Sequence, residues 1–152
     1  MRDTVALRAL GLSDALLRHL AGEGPPTPLD YRCQAPHAWR SSPIATRDIV
    51  PLWECGMVLD YYNRSSRRFE RCSLESIDEV WCSYSSLQGL LVGLFLDAYE
   101  DEADDAALCA WASQFGVPAA QRMLAELESD PARKDCPAWR AGWGACCADA
   151  AG

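Results

Sequence analysis

The central segment, residues 51–100, most constrains the fold, because it carries the densest run of apolar and aromatic residues in the chain. Residues 57–62 alternate between two faces, and residues 68–74 do so again after a polar, turn-like stretch. A side-chain period of two is typical of β-strands. The segment therefore predicts a β-hairpin, preceded by a further strand at residues 52–55 that ends at Gly56.

The second half of this segment has a helical period instead. Its apolar residues recur three and four positions apart, at Leu87, Leu90, Leu91, Leu94, Phe95 and Ala98. Such spacing forms a wide apolar stripe on one side of a helix, and Ser85 or Ser86 can cap its start. A hairpin with one apolar face is not stable alone. We therefore expect the helix at residues 86–100 to cover the sheet.

Shorter helices are predicted on both sides of this segment. Residues 4–21 predict a helix broken at Gly11, and residues 22–50 are loop-rich, with short strands possible near 30–33 and 49–53. Two further apolar stripes predict helices at residues 106–115 and 119–129. The fold class is therefore α+β. We expect a small antiparallel sheet around residues 49–74, covered by an amphipathic helix and flanked by N- and C-terminal helices, in one domain over residues 1–130 with a loosely ordered tail over 131–152.

The charge of the chain restricts its partners. The net charge is -8, and the 14 Lys and Arg residues are scattered along the sequence. Nucleic-acid binding needs a basic patch that neutralises phosphates, so we expect no nucleic-acid partner. A basic protein surface suits an acidic chain better, chiefly through faster encounter.

Eight cysteines are many for a chain of 152 residues. The N-terminal stretch contains no continuous apolar core of a signal peptide, and no run of residues reaches the length of a membrane span. We therefore expect a cytoplasmic protein with reduced thiols and no membrane association. The sequence leaves open the oligomeric state and the redox state of the adjacent pair Cys146 and Cys147.

The sequence offers no recognisable catalytic or metal-binding motif. No two cysteines have the C-x-x-C spacing of zinc sites, and His19 and His37 are the only imidazoles. Phosphate-binding glycine loops and the G-x-S-x-G motif are also absent. We expect no enzyme activity, no catalytic residue, no metal and no cofactor. The alternative enzyme would pair His37 with Cys55, Cys72 or Cys82.

The central segment resembles bacterial members of the SUKH superfamily. The residues that carry the resemblance are PLWECGMVLDYY, RRFERCSLES and SYSSLQGLLVGLFLDAYEDE. They include the strand ending at Gly56, the strand with Tyr61, the hairpin return at Phe69 and the serine-led helix. The resemblance implies a small α+β domain of the kind found in immunity proteins against nuclease and other toxins and in a fungal regulator of cell-wall synthesis. It implies no catalytic residues.

Residues 75–84 mix acidic and aromatic side chains, which favours a recognition surface. We hypothesise a non-enzymatic binding protein that neutralises a basic toxin by occlusion, with nucleases as one class of such toxins. A regulatory or scaffold module that binds another protein is the second hypothesis, and a cysteine-dependent enzyme is the third. The candidate partner-binding residues are Asp60, Tyr62, Glu75, Asp78, Glu79 and Trp81.

Overall fold

The computed structural model describes residues 3–117 and 119–150, with side chains up to Trp143. The first part contains helices α1 (Thr4–Ala9) and α2 (Asp14–Leu20), two 3-10 turns (Ala38–Ser41 and Pro43–Thr46), and strands β1 (Ile49–Cys55), β2 (Val58–Asn63), β3 (Arg68–Ser73) and β4 (Ser76–Tyr84). The second part contains α3 (Leu87–Glu100), α4 (Asp105–Phe115), α5 (Ala120–Ser129), a 3-10 turn (Pro131–Asp135) and α6 (Pro137–Ala150).

The α+β fold class is confirmed, with a four-stranded antiparallel sheet in the order β1-β2-β3-β4. The described chain forms two compact units. One contains the residues up to 26 with residues 30–85, and the other contains residues 27–29 with the residues from Ser86 onward. The sheet belongs to the first unit and α3 to the second. The covering of the sheet by α3 and the single-domain organisation therefore stay predictions.

The connection between β1 and β2 is a two-residue turn, in which Cys55 pairs with Val58. Gly56 takes the first turn position with φ +58°. That left-handed conformation is natural for glycine and matches a hairpin turn whose twist suits the flanking strands. This is why the strand predicted at residues 52–55 ends at Gly56. The next hairpin also forms as predicted, with Tyr62 opposite Phe69.

One face of the sheet carries an apolar cluster within the first unit. The buried cluster consists of Ile44, Leu59, Tyr61, Cys72 and Leu74, with Trp39, Ile49 and Ile77 packed against it. Ile44 and Trp39 come from the two 3-10 turns, which lie in the loop-rich region before β1. That region is therefore anchored to the sheet by its apolar side chains rather than by strands of its own. Burial raises the pKa of the Tyr61 hydroxyl and of the Cys72 thiol, so both groups stay neutral near neutral pH.

Helix α3 lies at the centre of the second unit, where it packs mainly against α6 and α4. The Ser86 hydroxyl caps it by accepting a hydrogen bond from the Gly89 N–H at 3.1 Å, as the sequence predicts. Apolar residues on all sides of α3 are buried, which is typical of a central helix. The Phe95 and Trp111 rings stack with centroids 6.4 Å apart and join α3 to α4.

Residues Pro131–Asp135 form a 3-10 turn and Pro137–Ala150 form α6, whereas the loosely ordered tail over 131–152 stays a prediction. Trp139 and Trp143 lie one helical turn apart, with their rings edge to face at 6.0 Å. Trp143 is buried, and the Arg122 guanidinium of α5 lies 4.5 Å from its ring centroid. Two aromatic side chains on one face of α6 therefore hold this helix within the unit. Two residues four positions apart are too few to show a helical period in the sequence.

Glu126 on α5 joins these elements. Its carboxylate accepts hydrogen bonds from the Trp139 indole N–H at 2.8 Å and from Arg133 at 3.0 Å. The Trp139 hydrogen bond, followed by the Arg133 charge, lowers the pKa of Glu126 below its ordinary value of 4.5. A carboxyl group with a lowered pKa in the folded state stabilises that state above its unfolded pKa. The stabilisation is lost as the pH falls through the folded pKa.

We therefore expect Glu126→Gln to lower the free energy of unfolding at neutral pH. The difference from the parent protein should shrink as the pH falls below about 4.5. Urea unfolding at several pH values measures this difference, and Glu128→Gln on the same helix serves as the control, since Glu128 is exposed. A difference that stays constant from neutral to acidic pH would contradict the assigned role of Glu126.

Candidate functional site

Four of the six candidate partner-binding residues lie in strand β4 or in the turn that precedes it. It is the outermost strand of the sheet and pairs with β3 on one side. Glu75 lies in the turn before it, and Asp78, Glu79 and Trp81 lie within it. Most of its side chains are exposed or half-buried, unlike those of the inner strands. The structure thus places the acidic and aromatic residues of this segment on one edge strand and in the turn that leads into it.

The pairing of β4 with β3 is irregular. Cys72 lies opposite Val80 and Arg71 opposite Cys82, which leaves Trp81 as an extra residue in a bulge. The next pair, Ser73 with Ser76, leaves residues 77–79 without partners across the ladder. Bulges bend a strand and redirect its side chains, and they are common beside functional sites. Here the bulge leaves the Trp81 side chain 50% exposed and Val80 beside it 42% exposed.

Arg47 fastens the irregular part of β4. One guanidinium nitrogen donates to the Ile77 carbonyl oxygen at 2.9 Å, and another donates to the Asp78 carboxylate. Ile77 also packs against the apolar cluster of the sheet. The Asp78 side chain stays 94% exposed, although its charge is compensated by Arg47. The backbone at residues 77–78 is therefore held in place while the following acidic and aromatic side chains face solvent.

Two acidic side chains at this edge are uncompensated. In the part of the chain that the structure describes, the carboxylates of Glu75 and Glu79 make no hydrogen bond or ion pair, and both residues are exposed. The Trp81 indole likewise has no hydrogen-bond or ring partner among the described residues. We call Glu75, Asp78, Glu79, Val80 and Trp81 the β4 patch. It combines exposed apolar area with negative charge that is not neutralised internally.

Asp60 does not belong to this patch. It lies on β2 with its side chain 6% exposed, and its carboxylate accepts hydrogen bonds from Arg71 at 2.9 and 3.1 Å. The Trp53 indole N–H donates a third bond at 2.8 Å. A buried carboxylate that accepts these hydrogen bonds stabilises the sheet and is not exposed to a partner. The structure buries the Asp60 carboxylate against Arg71 on the neighbouring strand, and a partner contact at Asp60 stays a prediction.

Tyr62 also lies on β2, two strands away from β4. Its ring packs against that of Phe69 with centroids 5.1 Å apart, and the residue is half-buried. Two strand spacings correspond to about 10 Å. The structure therefore brings together Glu75, Asp78, Glu79 and Trp81 but not Asp60 and Tyr62.

Glu54 is an important residue that the sequence analysis does not identify. Its buried carboxylate accepts backbone N–H bonds from His37 at 2.7 Å, Ala38 at 3.0 Å and Trp39 at 2.8 Å. Its backbone exchanges two further bonds with Gln34, at 3.1 and 3.0 Å. Glu54 thus fixes the segment before β1 onto the sheet edge opposite β4. Its partners are 15–17 residues away along the chain, so no local pattern reveals it.

The structure describes the side chains of six of the eight cysteines. The six whose side chains are described, at positions 33, 55, 72, 82, 109 and 136, are free thiols. Cys146 and Cys147 lie in α6, outside the described side chains. Among the described residues, no group of His, Cys, Asp and Glu could hold a metal ion. The raised pKa of Cys72 disfavours a reactive thiolate there.

Cys33, which the sequence analysis does not single out, lies beside a cavity of about 430 Å³ that is also lined by His19 and Asp30. The imidazole nitrogen of His19 lies 3.6 Å from the Asp30 carboxylate, and Cys33 is buried. The cysteine-enzyme hypothesis, which pairs His37 with Cys55, Cys72 or Cys82, stays a prediction.

No helix within the described residues has the length and apolar character needed to cross a bilayer. Searches against protein-family models, curated proteins and solved structures found no match to this chain.

Proposed function

We propose that this chain is a non-enzymatic, cytoplasmic binding protein of the immunity type, which neutralises a basic toxin domain by covering its functional surface. The single observation that carries the proposal is the β4 patch, in which the half-exposed Trp81 and the uncompensated carboxylates of Glu75 and Glu79 lie along one edge strand and the turn before it. Binding through such a surface requires no cofactor. The resemblance of the central segment to SUKH immunity domains supports the same function.

Aromatic anchors surrounded by charge suit this role for two reasons. Trp is enriched among the residues whose truncation most weakens protein–protein binding, because its large ring excludes water from the interface. Acidic groups around it steer a basic partner into contact and discriminate against acidic competitors. Nuclease domains present basic surfaces to nucleic-acid phosphates. The net charge of -8 adds a long-range attraction to the local one.

The first experiment is capture of a partner with the tagged, full-length chain from lysate and culture fluid of the native organism. The proposal requires a stoichiometric partner that is toxic when expressed alone and harmless when expressed together with this chain. A captured housekeeping complex without toxicity would favour a scaffold or regulatory role instead. Absence of a stoichiometric partner at low and moderate salt would overturn the proposal.

The second experiment tests the surface with the captured partner. We expect Glu79→Lys to slow association by about 3- to 30-fold at low salt, since rim charges act mainly on the association rate. The effect should fade as salt screens the charges. Combining it with Asp78→Lys should slow association further, but that change also removes the Arg47 contact.

Glu128→Lys on α5 is the matched control, because it makes the same charge change at an exposed position outside the β4 patch. Stopped-flow or surface-based kinetics measure the association rates of the variants. Equal association rates for Glu79→Lys and Glu128→Lys would exclude the β4 patch as the binding surface.

A further inference from the structure

We infer that the β4 patch recognises an arginine side chain on an exposed basic segment of the partner protein, with the guanidinium stacked on the Trp81 indole and attracted by the Glu79 carboxylate. This inference rests on the proposed function and specifies the chemistry of the contact. It is carried by an exposed aromatic ring without a partner, by uncompensated negative charge beside it, and by the irregular backbone that presents both.

Other aromatic rings of this chain show the same contact made internally. The guanidinium carbon of Arg32 lies 5.6 Å from the Tyr31 ring centroid, and that of Arg40 lies 5.9 Å from the Trp39 ring centroid. The Trp143 ring is likewise covered by an arginine of the chain. Trp81 has no such cation among the described residues, although its ring is half exposed. Its face is therefore available to a cation from another molecule.

The negative charge around Trp81 favours a positively charged ligand and disfavours binding of a second copy of this chain. Arg47 compensates Asp78, whereas Glu75 and Glu79 have no described partner. Two copies meeting through this patch would bring four uncompensated carboxylates together, which is unfavourable. Arginine suits the site better than lysine because its planar guanidinium stacks on aromatic rings, binds carboxylates in a fork and is more weakly hydrated.

The backbone of β4 favours recognition through side chains over addition of another strand. The bulge at Trp81 and the unpaired residues 77–79 bend the edge, and such irregularities oppose regular strand pairing. Two carbonyl groups of the strand already accept bonds from arginine side chains, Ile77 from Arg47 at 2.9 Å and Ser83 from Arg68 at 3.0 Å. A partner segment is thus expected to contact the Trp81 and Glu79 side chains.

The test uses three fluorescent probe peptides with the same Gly/Ser spacing, which carry arginine, lysine or the neutral isostere citrulline. Anisotropy titrations at low salt compare the full-length protein with Trp81→Leu, Trp81→Phe and Glu128→Lys. We expect affinity to decrease from arginine to lysine to citrulline. Trp81→Leu should weaken binding of the arginine peptide by about 2- to 5-fold, the range of a cation–π contact at an exposed site. Trp81→Phe should retain part of the affinity.

Several results would overturn the inference: no binding of the arginine peptide, equal binding of the arginine and citrulline peptides, or unchanged binding to Trp81→Leu. Self-association that depends on Trp81 would also overturn it, in favour of a second copy as occupant. Circular dichroism establishes that each variant is folded. Failure of the peptide test leaves the proposed function standing if the captured toxin still binds the chain. If the toxin test fails and the arginine peptide binds as expected, only the proposed function is lost.

Discussion

Replacing Asp60 with alanine is expected to reduce the free energy of unfolding by about 3–5 kcal/mol, the usual effect of breaking a buried ion pair from one side. The Asp60 and Arg71 side chains are only 6% and 12% exposed. Removing the carboxylate leaves the guanidinium charge in a poorly solvated place and takes away the acceptor of the Trp53 indole N–H. Urea unfolding followed by circular dichroism measures the change.

Two further variants separate the charge effect from general damage to the strand. Asp60→Asn keeps the size of the side chain and one acceptor oxygen, so its effect should be smaller than that of Asp60→Ala. Replacing both partners, Asp60→Leu with Arg71→Met, should recover much of the loss, because a buried ion pair exchanged for apolar side chains is often neutral for stability. A loss below about 1 kcal/mol for Asp60→Ala would contradict the structural role assigned to this pair.

The second large effect is expected at Glu54. Glu54→Ala should reduce the free energy of unfolding by about 2–4 kcal/mol, because three backbone N–H groups lose a charged acceptor at once. The loss is smaller than three full hydrogen bonds, since water can reach N–H groups exposed by loosening of the segment. Amide exchange at residues 37–39 should accelerate in the same variant.

Glu54→Gln and Glu75→Ala are the controls for this change. Glutamine keeps one side-chain acceptor oxygen, so Glu54→Gln should lose less stability than Glu54→Ala. Glu75→Ala removes the same charge from an exposed turn and should change stability by no more than about 0.5 kcal/mol. If Glu54→Ala were no more destabilising than Glu75→Ala, the carboxylate of Glu54 would not be what fastens this segment to β1.

Much of the fold is predictable from the sequence, because it depends on interactions between near neighbours. The two-residue turn at Gly56, the alternation in β2 and β3, and the Ser86 cap each involve residues within a few positions. Strand β4 is not predicted as a strand. The bulge and the unpaired residues 77–79 interrupt the two-residue side-chain period of β4. Because side chains on both faces of β4 are exposed, its sequence does not need alternating apolar residues.

The residues of the candidate site also fall into two groups, those that the local sequence indicates and those whose roles depend on distant partners. Glu75, Asp78, Glu79 and Trp81 are close together in the sequence, so one continuous stretch indicates them as a group. The roles of Asp60 and Glu54 depend instead on partners elsewhere along the chain, such as Arg71 on the next strand. Strand register and long-range hydrogen bonds are not encoded in local composition. A buried carboxylate in an alternating strand therefore looks the same in the sequence as an exposed one.

The two borders of the sheet differ in a way that bears on fibril formation. At β1, Gln34 already forms a two-way backbone bridge with Glu54. At β4, the bulge and the uncompensated carboxylate of Glu79 make it unfavourable for an identical molecule to dock there in register. Neither border is a good template for stacking of copies into an open-ended assembly. Neutralising Glu79 would weaken this protection, so a Glu79→Gln variant should polymerise more readily than the parent chain.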